Sequence, residues 1–490
     1  MTKAAKSFAN FDTLPDGWRR AKLGEVSKTT SGGTPSRKNA EYFTGDIPWV
    51  KSGELPDGIV TDVEERITED AVANSSAKLF PAGTLLIALY GATVGKLGIL
   101  KEDATTNQAV CAIFPHEDID TKYLFWYLRF VRSDLVAQAV GGAQPNISQG
   151  ILRELQVPIA PRNQQKRIVE EIEKQFSRLD EAVANLKRVK SNLKRYKASV
   201  LKAAVEGKLV ETEAELARRE CRSYETGEEL LQRILKERRE KWTGRGKYKE
   251  PAAPDITDLP ELPEGWVWAT VEQIAAELMN GYGKRSQVGG TPQVVLRLAD
   301  IVDGEISFAN VRKINCTADE VDKYGLQAND LLVLRVNGSP DLVGRFVFVH
   351  QTPEIALYCD HFIRARCVTS DMAIWLRNYS DVERCRRYID LNKVSSAGQN
   401  TINQGALSQM AIPLPPVSEQ HRIVAEVDRR LSLLRETEAQ VDANLQRAER
   451  LRQAILGKSF SYGFPKGNDS AIVNPGFTSC QQCDQQGDSL

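Results

Sequence analysis

Two stretches of the chain carry apolar residues at a sevenfold spacing. In the first, Ile172, Leu179, Leu186, Leu193 and Val200 recur every seven residues. Ile168, Phe176 and Val183 fill the intermediate steps, and Val189 and Tyr196 take them over further along. In the second, Val427, Leu434, Val441, Ala448 and Ile455 keep the same spacing, with Ile423, Leu431 and Leu445 between them. Lys, Arg and Glu occupy most other positions, so each stretch predicts a helix with a 3.5-residue coiled-coil seam. Helices over 163–206 and 418–456 would each reach about 60 Å at about 1.5 Å per residue. Gly207 and Gly457 stand where a left-handed cap would close each helix. Two matched seams in one chain most simply pack on each other.

Ahead of each helix lies a mixed region with shorter rhythms. TLLIALYG (84–91), DLLVLRVNG (330–338) and RFVFVHQ (345–351) read as buried strands. KYLFWYLRFVRSDL (122–135) and AIWLRNYSDVERCRRYI (373–389) carry helical spacing. The fold class is α+β: two tandem α/β domains joined by two long coiled-coil helices. The boundaries predicted are a first domain at 14–162, a first helix at 163–207 and a charged, Pro-rich connection at 208–261. A second domain follows at 262–417, then a second helix at 418–457 and a disordered tail at 458–490. GEELLQRILKERREKW, within the connection, predicts one more helix.

The rhythm recurs because the sequence does. LPDGWRRAKLGEV at residue 14 returns as LPEGWVWATVEQI at residue 262. QPNISQGILRELQVPIAPRNQQKRIVEEI (144–172) returns as GQNTINQGALSQMAIPLPPVSEQHRIVAEV (398–427). LKAAVEGK (201–208) returns as LRQAILGK (451–458). Three landmarks in the same order make a tandem duplication, with a period far longer than that of solenoid repeats.

Composition narrows the class. With 490 residues, 27% charged and 41% hydrophobic, the chain can bury two or more cores. No apolar run is long enough to span a membrane, the start MTKAAKSFANFDTLP lacks a secretory signal, and eight cysteines follow no disulfide spacing. These features predict a cytoplasmic protein. Cys480 and Cys483 form a CxxC without a second ligand pair, which does not make a zinc site. Net charge is zero, but KRVKSNLKRYK (187–197) and KERREKWTGRGKYKE (236–250) are locally basic.

Catalytic constellations are missing from the sequence. YGATVGKLG (90–98) has three residues between Gly91 and Gly95 where a Walker A loop needs four, and Leu97 follows Lys96. The second copy has NGSPDLVGRF at the same place. Both copies thus keep a glycine-bearing loop that ends in a base, which suits a polyanion backbone better than a nucleotide. The four histidines show no metal spacing, and no nucleophile elbow or complete dinucleotide fingerprint is present. Further polar and basic loops are SGGTPSRK (31–38) and GYGKRS (281–286). A pseudo-twofold pair of domains suits DNA, whose half-sites repeat each turn. The residues chosen as DNA contacts are Thr34, Lys51, Tyr90, Thr93 and Lys96 in the first copy. In the second they are Lys284, Arg285, Arg335, Asn337, Ser339 and Arg345.

The paired entries LPxGW, the paired N/T-I-x-Q-G…P…P…EQ/QQ-x-R-I-V motifs and the central EELLQRILKERREKW resemble type I restriction–modification specificity subunits over nearly all of 14–460. The resemblance implies two target recognition domains, each reading half of a bipartite double-stranded DNA site, separated by antiparallel helices. It also implies partners: two methyltransferase subunits carrying S-adenosylmethionine, and motor–nuclease restriction subunits using ATP and Mg. The chain itself would hold no cofactor and no metal, and Ile172, Leu179, Leu186, Leu193, Val200, Val427, Leu434, Val441 and Ile455 would form the seam and dock the partners. Two other classes compete. A self-sufficient modifying enzyme needs an amine pocket motif or a nuclease P-D…E-x-K cluster, and neither Pro415-Pro416 nor Pro56-Asp57 supplies one. A coiled-coil scaffold without a DNA role would show no salt-dependent DNA binding.

Overall fold

A computed structural model describes residues 14–139, 146–240, 246–285 and 289–462. The start of the chain, the tail beyond 462 with its CxxC, and parts of the 236–250 and 281–286 segments lie outside the described residues. The chain divides into two units, Met1–Leu186 with Ala443–Leu490, and Lys187–Asp442. Among the described residues no helix is long and apolar enough to cross a membrane.

The first unit opens on a turn in which Gly17 takes φ 82° and the Trp18 N–H donates to the Pro15 carbonyl at 3.0 Å. Strand Arg19–Lys22 then pairs antiparallel with Gln156–Ile159. The main sheet runs Ser27–Ser31, Val110–Pro115, Leu85–Ala88, Leu97–Leu100, Gly58–Val60. Leu85–Ala88 is buried along its whole length, as its unbroken apolar run requires. A smaller sheet places Ile47–Val50 between Arg66–Ile67 and Ala104–Thr106. Tyr123, Leu124, Trp126 and Leu128 of helix Thr121–Phe130 pack on the main sheet's core.

The second unit repeats this plan. Gly265 takes φ 84°, and the Trp266 N–H donates to the Pro263 carbonyl at 3.1 Å. Strand Val267–Thr270 pairs with Ala411–Leu414. The main sheet runs Ala275–Asn280, Phe362–Cys367, Asp330–Leu334, Phe346–Phe348, and Thr291–Leu296 lies between Lys313–Cys316 and Ala356–Tyr358. Where the sequence predicts one helix over 122–135 and one over 373–389, each copy has two. These are Thr121–Phe130 with Arg132–Ala137, and Ser370–Tyr379 with Glu383–Asn392. The breaks have a use: Arg132 follows the first, and Asp381 sits in the second, where each makes an ion pair described below.

The long helices are Arg162–Val205 and Val417–Tyr462. They run antiparallel within each unit. In the first, Arg452 meets both Phe176 and Asp180, while Ile172 shares a core with Leu456 and Phe460. In the second, Lys190 meets Asp442 at 2.6 Å, and Val200, Leu201 and Ala204 share a core with Ile423 and Val427. Ile172, Val200, Val427, Leu434 and Val441 are buried, whereas Leu179, Leu186, Leu193 and Ile455 are half-buried.

Three readings of the helices need correction. Val189 and Tyr196 do not continue the seam; they are 40% and 47% exposed, since a two-helix pair covers only a narrow stripe. Gly457 is not a left-handed cap, although Gly207 is, at φ 66°. The second helix instead runs through Gly457 to Tyr462, because Phe460 is fully buried against Tyr123, Tyr127 and Phe130. Tertiary burial of one aromatic outweighs the roughly 1 kcal/mol helix cost of a glycine.

The best-matched repeat residues are framework. Gln165 is fully buried; its Nε2 donates to the Ala160 and Asp118 carbonyls, and its Oε1 accepts from the Asp120 N–H at 2.8 Å. Gln420 is buried likewise and donates to the Pro415 carbonyl at 2.8 Å. Each amide ties the first turn of a long helix to the strand that precedes it, satisfying carbonyls that would otherwise be buried unpaired. In the second unit the connection adds helices Glu213–Glu220 and Gly227–Glu240. Thr212 and Glu215 form a capping box, and buried Glu213 takes Arg422 at 2.6 Å and Arg222 at 2.7 Å.

Candidate nucleic-acid interface

The two glycine-bearing loops close with the same pair of backbone hydrogen bonds, although the second is three residues longer. In the first unit the Ala88 N–H donates to the Lys96 carbonyl, and the Gly95 N–H donates back to the Ala88 carbonyl, both at 2.8 Å. In the second, the Leu334 N–H donates to the Arg345 carbonyl at 2.9 Å, and the Gly344 N–H donates back to the Leu334 carbonyl at 2.8 Å. Gly95 and Gly344 take φ 79° and 71°, so the closing position needs a residue without a Cβ. A Cβ at Gly344 would also lie 2.8 Å from the Ile389 side chain.

Each loop is braced from behind by an arginine of the second short helix. Arg132 makes a two-pronged pair with Asp57, which also accepts from the Leu97 N–H at 3.0 Å. Burial alone would raise the Asp57 carboxyl, but hydrogen bonds from Arg132 and Leu97 hold it below the usual carboxylate range. Asp57 itself stands at φ 60°, a left-handed conformation fixed by these bonds. In the second unit Arg386 donates to the Asp341 and Val343 carbonyls, and Arg345 pairs with Asp381. Neither brace is legible in the sequence, because the partners lie 75 residues apart in the first copy and 43 to 45 in the second.

The candidate contacts divide by what their charges already touch. Lys96 is half-buried, and its ammonium has no ion-pair partner among the described residues. Lys51 is held by Glu64 at 2.8 Å and Glu65 at 3.2 Å, and the Glu64 bond raises its pKa. Lys284 pairs with Glu320 at 2.7 Å, and Arg285 pairs with both oxygens of Asp360. Arg345 is committed to Asp381 and the Asp341 carbonyl, and Arg335 to the Asp360 carbonyl at 3.4 Å. Tyr90 bridges to Asn146, Thr93 closes the loop through its carbonyl to the Lys96 N–H, and Thr34 contacts Gln108. Asn337 accepts the Ser339 N–H at 2.8 Å, which leaves the Ser339 side chain exposed.

Asn337 lies on strand Val336–Asn337, which joins a three-stranded sheet with Gln399–Thr401 and Val394–Ser396. This exposed hairpin was missed in the sequence. Its residues are polar and short-spaced, and its turn is Ala-Gly rather than the Asn-Gly that signals a hairpin. Cys359, Asp360 and His361 bring potential ligand atoms within 4.8 Å of one another. Asp360 is occupied by Arg285, so this cluster reads as a charge pair rather than a metal centre.

Each unit therefore holds an α+β module beside an antiparallel pair of helix segments, with a glycine-closed loop at the end of a buried strand. Residues 15–195 match the model of the type I restriction modification DNA specificity domain. The specificity subunit of the StySPI type I restriction enzyme of Salmonella potsdam is 27% identical over 460 residues, covering 92% of this chain and 90% of the relative. That of the EcoKI enzyme of Escherichia coli is 22% identical over 91% of this chain and 89% of the relative. A solved structure from work on assembly and conformational transition of the type I R-M system covers 92% of this chain and all of its own. It has a TM-score of 0.62 at 20% identity, which supports the fold. Residues 15–195 thus match a type I DNA specificity domain, and over nine-tenths of its length the chain is similar to type I restriction enzyme specificity subunits.

Proposed function

We propose that residues 14–162 and 262–417 each read one half of a bipartite double-stranded DNA site. The long helices hold the two readings in one chain and dock two methyltransferase subunits, with restriction subunits joining the complex in the cytoplasm. The observation that carries the reading is the pair of loops closing at Ala88/Lys96 and Leu334/Arg345. They share one closing pattern of backbone hydrogen bonds and differ in length and in nearly every residue between. A shared frame with divergent tips is what reading two different half-sites requires, since phosphate contacts position and base contacts specify. S-adenosylmethionine, ATP and Mg belong to the partners in this reading. The test replaces 262–417 with the corresponding domain of a relative and sequences the methylated motif of cells that also carry the methyltransferase. One half of the motif should change while the other stays. A change in both halves would contradict separate reading.

A further inference from the structure

We propose that the hairpin 394–401 of the second unit is a base-reading element, with Gln399 and Asn400 addressing base edges in the major groove. The proposal rests on the half-site reading above. The hairpin is built on the recognition loop: Val336 faces Thr401 and Asn337 faces Asn400, while Ser395 and Ser396 pair with Asn400 and Gln399 on the outer strand. Ala397 and Gly398 take φ 48° and 75°, a two-residue turn with both residues left-handed, which keeps the ribbon narrow. A two-stranded ribbon is one of the shapes that the major groove, about 12 Å wide, admits.

Its chemistry argues against a Coulombic grip on the phosphate backbone. Residues 394–401, VSSAGQNT, carry no charge, so they have nothing to hold a phosphate by Coulomb attraction. Exposed outer strands are ordinarily guarded by charges, especially Lys, yet this one presents Val394 at 63% exposure beside two serines. Amides, hydroxyls and one exposed methyl-bearing side chain match what base edges offer: Asn or Gln to adenine N6 and N7, and an apolar group to the thymine methyl.

The Asn400 amide is also held ready. Ser395 Oγ donates to its Oδ1 at 2.6 Å, and its Nδ2 donates to the Gly338 carbonyl at 3.1 Å. Nδ2 also donates to the Asn337 carbonyl at 3.4 Å, so the amide plane is fixed against the loop and one Oδ1 lone pair remains to accept from a base edge. The internal repeat gives an independent clue. Gln399 corresponds to Gln144, but Asn400 corresponds to Pro145, whereas the framework glutamines Gln165 and Gln420 agree. The copies diverge at a position where different readings would require divergence.

The test uses the full chain with its methyltransferase subunits, comparing the parent with Gln399→Ala and Asn400→Ala. The readouts are the methylated motif and the salt dependence of DNA binding. Gln399 is exposed, so its replacement leaves the fold intact. Support is relaxed specificity at one position of the half-site read by 262–417, about tenfold or more, with the other half and the salt slope unchanged. An unchanged motif with both variants overturns the proposal, as does loss of both half-sites in Gln399→Ala. A parent chain that confers no bipartite motif overturns the half-site reading itself and the hairpin's role with it.

Discussion

Replacing the terminal base of each glycine loop should give different results in the two copies. Lys96 and Arg345 occupy the same step, one residue after the closing glycine, but only Lys96 has an uncommitted charge. If Lys96 meets one phosphate, Lys96→Ala lowers the slope of log affinity against log salt by about 0.9. Between about 50 and 200 mM salt the variant should then lose about three- to fourfold less affinity than the parent. Arg345 already spends its guanidinium on Asp381 and the Asp341 carbonyl. Arg345→Ala should leave the slope unchanged and act through the shape of the loop. Fluorescence anisotropy of a labelled duplex at four or five salt concentrations, with the full complex, measures both. Equal slope changes in the two variants would refute the division into committed and uncommitted cations. An unchanged slope for Lys96→Ala would remove Lys96 from the interface.

Other expectations concern the framework. Phe460→Ala removes a fully buried ring from its contacts with Tyr123, Tyr127 and Phe130, and should cost about 3–5 kcal/mol, read as a lower thermal midpoint. Leu434→Asp places a carboxylate at a 7%-exposed seam position and should abolish assembly with the methyltransferase, measured by gel filtration. Burial alone would raise Glu213, but Arg422 and Arg222 hold its carboxyl below the usual range. A folded pKa below the unfolded value means that protonation favours the unfolded chain. This stabilisation is complete above the ordinary carboxylate value of about 4.3 and is lost as pH falls through the depressed folded value. Glu213→Gln should therefore flatten the acid limb of a urea-unfolding pH series.

The parts of this fold legible in the sequence are those written in local or repeated patterns. The LPxGW turns, the buried run 84–91 and the sevenfold seams each state their structure within a window of a few residues. The glycine loops were legible as a pair because both copies keep them. What escaped depends on distant partners. Gly457 reads as a stop signal until Phe460 finds Tyr123, more than three hundred residues earlier. Lys51 and Arg345 read as available cations until the fold brings Glu64 and Asp381 to them. The hairpin at 394–401 has no hydrophobic alternation, since its sheet is only three short strands with little to bury.

The division of the chain between units bears on the order in which they form. Lys187–Asp442 is one uninterrupted stretch, whereas the other unit is assembled from Met1–Leu186 and Ala443–Leu490. On a ribosome that delivers about 5–20 residues per second, the later-made unit has all its parts first. The earlier one waits for Leu456 and Phe460, with the Tyr123–Phe130 aromatic face uncovered for roughly the time it takes to make the remaining three hundred residues. Synthesis thus leaves the first-made half as the last to close, and that open face is where a nascent chain would need a chaperone's cover.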